Sequence, residues 1–179
     1  MKADTIDGLF AMTEPAGLGP NVRPGVLEVR EVLAAVDAAC QESTITGKAL
    51  ECLRALVLLW HDHLDEAHTL VQDLSGADAA WVHGIMHRRE PDFSNARYWF
   101  HRVGQHPALE LLAEMAAPLL AEHAALPFRL IHGGRWDPMA FIDAVSASVR
   151  PAADSEVARL IRELQRLESK ALARYWAAG

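Results

Sequence analysis

The chain has 179 residues, enough for one domain with a single sizeable core. It is 51% hydrophobic and 23% charged with a formal net charge of −7, an acidic balance that argues against a nucleic-acid partner, which needs a cationic surface. No apolar run approaches the roughly 20 residues that cross a bilayer, the acid-bearing N-terminus lacks the apolar stretch of a secretory signal, and two cysteines, Cys40 and Cys52, are too few for a disulfide framework; we therefore expect a cytoplasmic protein with no membrane partner.

Residues 1–24 hold Pro15, Gly17, Gly19, Pro20 and Pro24 and read as an extended N-terminal arm. Residues 25–179 read as a single all-α domain. Apolar residues at Val26, Leu27, Val29, Val32, Leu33, Val36 and Ala39 mark a first helix over 26–40. After a break at 43–46, residues 49–60 are apolar on nearly all sides, the pattern of a central buried helix. His61-Asp62-His63 forms a polar turn, and a helix follows over 64–74. The next helix, 79–90, stops at Pro91. Asp62 and Asp92 each precede a helix at a turn and are expected to cap it. The helix over 93–103 ends at Gly104, suited to a positive-φ terminator. Pro107 opens a helix through His123. Residues 126–138, with Gly133-Gly134 and two prolines, read as a crossover loop without strands, and helices over 138–149 and 155–176 complete the chain. The expected architecture is a compact bundle of about seven to eight helices.

Residues 64–74 and 93–103 align at a period of 29 when Ala67 is placed on Ala96: Leu64 then falls on Phe93, Val71 on Phe100 and Leu74 on Val103. The second hairpin, 77–104, resembles a tetratricopeptide or Sel1-type unit, with Gly84, Phe93, Ala96 and Phe100 at the family's small and aromatic positions. The first, 46–75, keeps Ala67 and the apolar positions but has Ala55 in place of the glycine, and the period falls short of the usual length of about 34. The resemblance implies stacked helical hairpins. The strings WHDHLDEAH and HGIMHRREPDFSNARYWFHRVGQHP are also similar to those of a group of short uncharacterised microbial all-α proteins, a likeness that implies a fold and no function.

Chemistry concentrates in residues 81–107, which hold four of the nine histidines, four arginines and two of the five tryptophans. A helix needing only stability would carry Ala, Leu, Glu and Lys there. At about 100° per residue, Trp81, Val82, Ile85 and Met86 share a core-facing arc, while His83, His87 and Glu90 share another. Imidazoles at i and i+4 can converge on one metal ion. His61, Asp65 and His68 sit at the start of the neighbouring hairpin, so His61, Asp65, His68, His83, His87 and Glu90 form a candidate divalent-metal set. Arg88 and Arg89, with His83, His87 and Trp99, alternatively line a positive groove for a small anionic ligand or an acidic peptide. Trp81 and Trp99 also suit plain core packing.

Two functions are carried forward. The first is a helical-hairpin binding protein with a His/Arg-rich groove. The second is a metal-dependent enzyme of hydrolase or lyase type built on the His/Asp/Glu set. His132-Gly133-Gly134 suggests an oxyanion loop, but no GxSxG elbow supplies a nucleophile, and neither a phosphate-cradling glycine loop nor a CxxC pair occurs.

Overall fold

In the computed structural model, which describes residues 2–12, 14–41, 43–123, 128–149 and 155–179, helices carry the architecture. The described elements are α1 (Lys2–Gly8), α2 (Val29–Cys40), α3 (Gly47–Trp60), α4 (Leu64–Val71), α5 (Ala77–Arg89), α6 (Phe93–Val103) and α7 (Ala108–Glu122). A hairpin of β1 (Ile131–His132) and β2 (Arg135–Trp136) then leads to α8 (Pro138–Ser148) and α9 (Glu156–Ala178). The protein is an all-α bundle.

Helix α3 lies at the centre. From Ala55 to Trp60 every side chain is buried, which accounts for its apolar character on all sides. It packs against α2, α4, α5 and α9. The α3–α4 and α5–α6 hairpins are neighbours, with α5 touching both helices of the first pair. Within the second hairpin the approach is close: a Cβ on Gly84 would sit 2.6 Å from the Phe100 ring. Only glycine admits Phe100 at that depth. Asp92 accepts from the Asn95 amide and caps α6, and Gly104 ends it at φ 60.

Three expectations are corrected. The arm is not extended throughout, because its first residues form α1 and bury Ile6 and Phe10 in the common core. Each such side chain contributes about 1.5–3 kcal/mol by leaving water, and Phe10 meets Trp60 edge-on at 5.9 Å. The 126–138 segment is not strand-free: Ile131 pairs with Trp136 and His132 with Arg135; residues 126 and 127 lie outside the described residues. Gly133 and Gly134 have φ of 57° and 78°, the two positive angles that a tight two-residue hairpin turn requires. Asp62 does not cap α4. It adopts φ 67° and turns its carboxylate inward, as described below.

Candidate functional site

The two hairpins bring three imidazoles and an indole together. His68 comes from α4, His83 and His87 from α5, and Trp99 from α6. Ring centroids lie 5.7 Å apart for His68–His83, 6.2 Å for His68–His87 and 6.4 Å for His83–His87. Trp99 lies flat on His83 at 4.1 Å with an interplanar angle of 13°. The burial is graded: His83 is buried, His87 and Trp99 are half-buried, and His68 is exposed. Arg102 reaches over the Trp99 and Tyr98 rings at 5.7 and 5.6 Å. The spacing of His83 and His87 is the rise of one helical turn. The convergence of His68 on them comes from the stacking of α4 on α5.

Hydrogen bonds set the tautomers. His83 Nδ1 lies 2.9 Å from the Ala79 carbonyl oxygen; a carbonyl only accepts, so Nδ1 carries the proton and Nε2 the lone pair. His87 Nδ1 lies 2.8 Å from a Glu90 carboxylate oxygen, which gives the same protonation by the same reasoning. Its Nε2 accepts from the Asn95 side-chain amide at 3.2 Å. Burial lowers the pKa of His83 below the usual imidazole value, and charge on His68 or His87 would lower it further. The site is thus an array of electron-pair donors. Among the described residues, no three His, Cys, Asp or Glu side chains are already arranged as ligands of one ion.

Of the rest of the expected metal set, Asp65 makes no contact with the three imidazoles among the interactions of the described residues, and His61 lies elsewhere. Asp65 is exposed on α4, and His61 is 4% exposed with its Nδ1 accepting the Leu27 amide at 3.1 Å. Both expected anion-binding arginines are withdrawn from any groove. Arg88 is fully buried and forms a two-pronged ion pair with Glu168 of α9, one prong at 3.1 Å. Its guanidinium lies 4.6 Å from the Phe141 ring centroid, and Trp81 Nε1 donates to the same carboxylate at 3.1 Å. Trp81 is therefore a core residue. Arg89, 1% exposed, donates to Asp62 at 2.6 Å, to the Gly19 carbonyl at 3.1 Å and to the Leu59 carbonyl. Charges this deep need partners, and these side chains spend every short contact on internal ones.

The His61-Asp62-His63 turn, read in sequence as ligand and cap chemistry, clamps the N-terminal segment. Asp62 accepts from the backbone amide and Nε of Arg23 at 2.9 and 2.7 Å. His63 Nε2 lies 2.7 Å from the Leu27 carbonyl, so Leu27 is held through both its amide and its carbonyl. Burial alone would raise the Asp62 pKa, but Arg23 and Arg89 outweigh it and hold the carboxyl below the usual range. At the far end of the bundle, Asp78 joins His106 and Trp176, each at 2.9 Å. Glu168, Gln165, Arg23 and His106 were missed in the sequence, since their partners lie tens of residues away and no local spacing marks them.

Compared with protein-family models, curated proteins and solved structures, the chain matches none of them.

Proposed function

We propose that the protein is a helical-hairpin binding protein that captures a divalent transition-metal ion at His68, His83 and His87. One observation carries this reading: both α5 imidazoles are protonated on Nδ1 by the acceptors they face, which leaves Nε2 lone pairs for a ligand. Metal-binding histidines are commonly oriented this way, by a backbone carbonyl or carboxylate on the opposite nitrogen, and neutral imidazole suits zinc, copper, iron and nickel. His68, exposed on α4, is the ligand that must rotate to complete the set, and the metal would replace the neutral Asn95 bond to His87. Side-chain rotation of this kind commonly accompanies binding.

The hairpins α3–α4 and α5–α6 act in this reading as tetratricopeptide-like units, supported by the close approach of Gly84 and Phe100. The free thiols Cys40 and Cys52 support a reducing, cytoplasmic setting. An anionic small molecule or acidic peptide is the second reading. Withdrawal of Arg88 and Arg89 leaves it resting on Arg102, whose guanidinium lies over Trp99.

Calorimetric titration of chelator-washed protein with zinc tests the proposal. One ion per chain is expected, with affinity reduced at least tenfold in both His83→Ala and His68→Ala. Glu90→Gln, which changes only the orienting group, should weaken binding by about tenfold. Absence of binding at micromolar zinc, or His83→Ala binding unchanged, would overturn it. A melting temperature that rises with phosphate or a Glu-rich peptide and not with zinc would favour the anion reading.

A further inference from the structure

A second site, separate from the imidazole cluster, lies where the N-terminal segment crosses α2 and α3. A cleft of about 310 Å³ opens there, lined by Leu9, Met12, Leu27, Val32, Val57 and His61 among others. Its walls are almost wholly apolar, and His61 is the one ionisable side chain among the lining residues. That side chain is 4% exposed. Its Nδ1 accepts the Leu27 amide at 3.1 Å, so the ring proton is on Nε2. Among the described residues Nε2 has no hydrogen-bond partner. The ring forms part of the wall of the cleft, and a donor without a protein partner on that wall is equipped to hold one acceptor atom.

We infer that this cleft binds a small uncharged molecule, largely hydrocarbon, through one carbonyl oxygen that accepts from His61 Nε2. Its volume matches on the order of ten water molecules, which sets the size at a short acyl chain or a single ring. The neutral class follows from the surroundings. Burial and the charge of Arg23 push the His61 pKa down to about 4, so the imidazole offers a proton but no positive charge near neutrality. Arg23, the cation that bears on His61, is neutralised by Asp62 at 2.7 Å, and His63 is engaged by the Leu27 carbonyl, so neither is free for a carboxylate. The sequence pattern hid this site, because its walls come from four separate segments.

Titration of the full chain with 2-octanone, followed by amide and imidazole NMR, tests the inference. Shifts are expected at Leu27, Val57 and the His61 Nε2 proton, with octanoate binding more weakly than the ketone. His61→Leu should lower ketone affinity about fivefold, the worth of one neutral hydrogen bond, and Ala35→Phe, which fills the cleft from α2, should abolish the shifts. The inference is overturned if folded wild type shows no cleft shifts in ketone-saturated buffer, or if octanoate binds as tightly as the ketone. It is equally overturned if His61→Leu keeps its affinity within twofold. Should His61→Leu fail to fold, a wild-type His61 Nε2 proton that does not move on ketone addition overturns it.

Discussion

Removing the Glu168 carboxylate tests whether Arg88 belongs to the core or to a binding surface. Both side chains are 0% exposed, and the carboxylate takes both prongs of the guanidinium and the Trp81 indole proton. Glu168→Gln keeps the volume and an acceptor for Trp81 but leaves a buried, uncompensated cation. Breaking one side of such a pair costs about 3–5 kcal/mol, roughly a fifth or more of the stability of a typical domain. For a chain of this length that lowers the melting temperature by roughly 6–20 °C. Arg88→Met and Glu168→Leu should each cost a similar amount and, with the double variant, close a mutant cycle. The double variant Arg88→Met/Glu168→Leu buries no charge and should fall only about 1–3 kcal/mol below wild type, chiefly from the orphaned Trp81 donor. Urea unfolding followed by tryptophan fluorescence and circular dichroism would read a coupling of about 2 kcal/mol or more. Additive single costs, or a Glu168→Gln melting point within two or so degrees of wild type, would refute the reasoning and return Arg88 to the list of ligand-facing groups.

Acid should destabilise the fold in two stages. His61 has its folded pKa near 4, below the unfolded value of 6.5, so its contribution is present above pH 6.5 and lost as pH falls to about 4, on the order of 3 kcal/mol in all. His83 shifts in the same direction through burial; Asp62 and Asp78 are also depressed, and their share is lost below the ordinary carboxylate range. Urea midpoints at pH 7, 5.5, 4 and 2.5 check both stages, and a flat profile contradicts them. Gly84→Ala, with its new methyl 2.6 Å from Phe100, should cost about 1–3 kcal/mol, and Phe100→Leu in the same chain should recover part of that; simple additivity would dismiss the clash. Asp62→Asn should cost about 3 kcal/mol by orphaning Arg89 and should loosen the N-terminal segment, read as faster hydrogen exchange at the Leu27 amide, which the same turn holds through His61. Unchanged exchange would separate the clamp from Asp62.

The helices were legible in the sequence because their determinants are local. The apolar stripes of α2 and α9, the all-apolar α3, the Asp92 cap and the Gly104 terminator each depend on neighbours within a turn or two. The common face of His83 and His87 was legible for the same reason. Helix α1 and the two-residue hairpin were not, since so short an element is stabilised by what it packs against rather than by its own periodicity. The fate of the charges was the property of tertiary structure alone. Arg88 and Arg89 are adjacent polar letters on one helix, yet Arg88 finds Glu168 80 residues on and Arg89 finds Asp62 27 residues back. Nothing within a helical turn of either arginine encodes those distances. Packing of α9 and of the 61–63 turn against α5 consumed both cations, and the stacking of α4 on α5 gathered His68 beside His83 and His87. Local sequence chose which groups share a helix face; which of them meet a partner, and which remain available for a ligand, was decided by the way the faces close on one another.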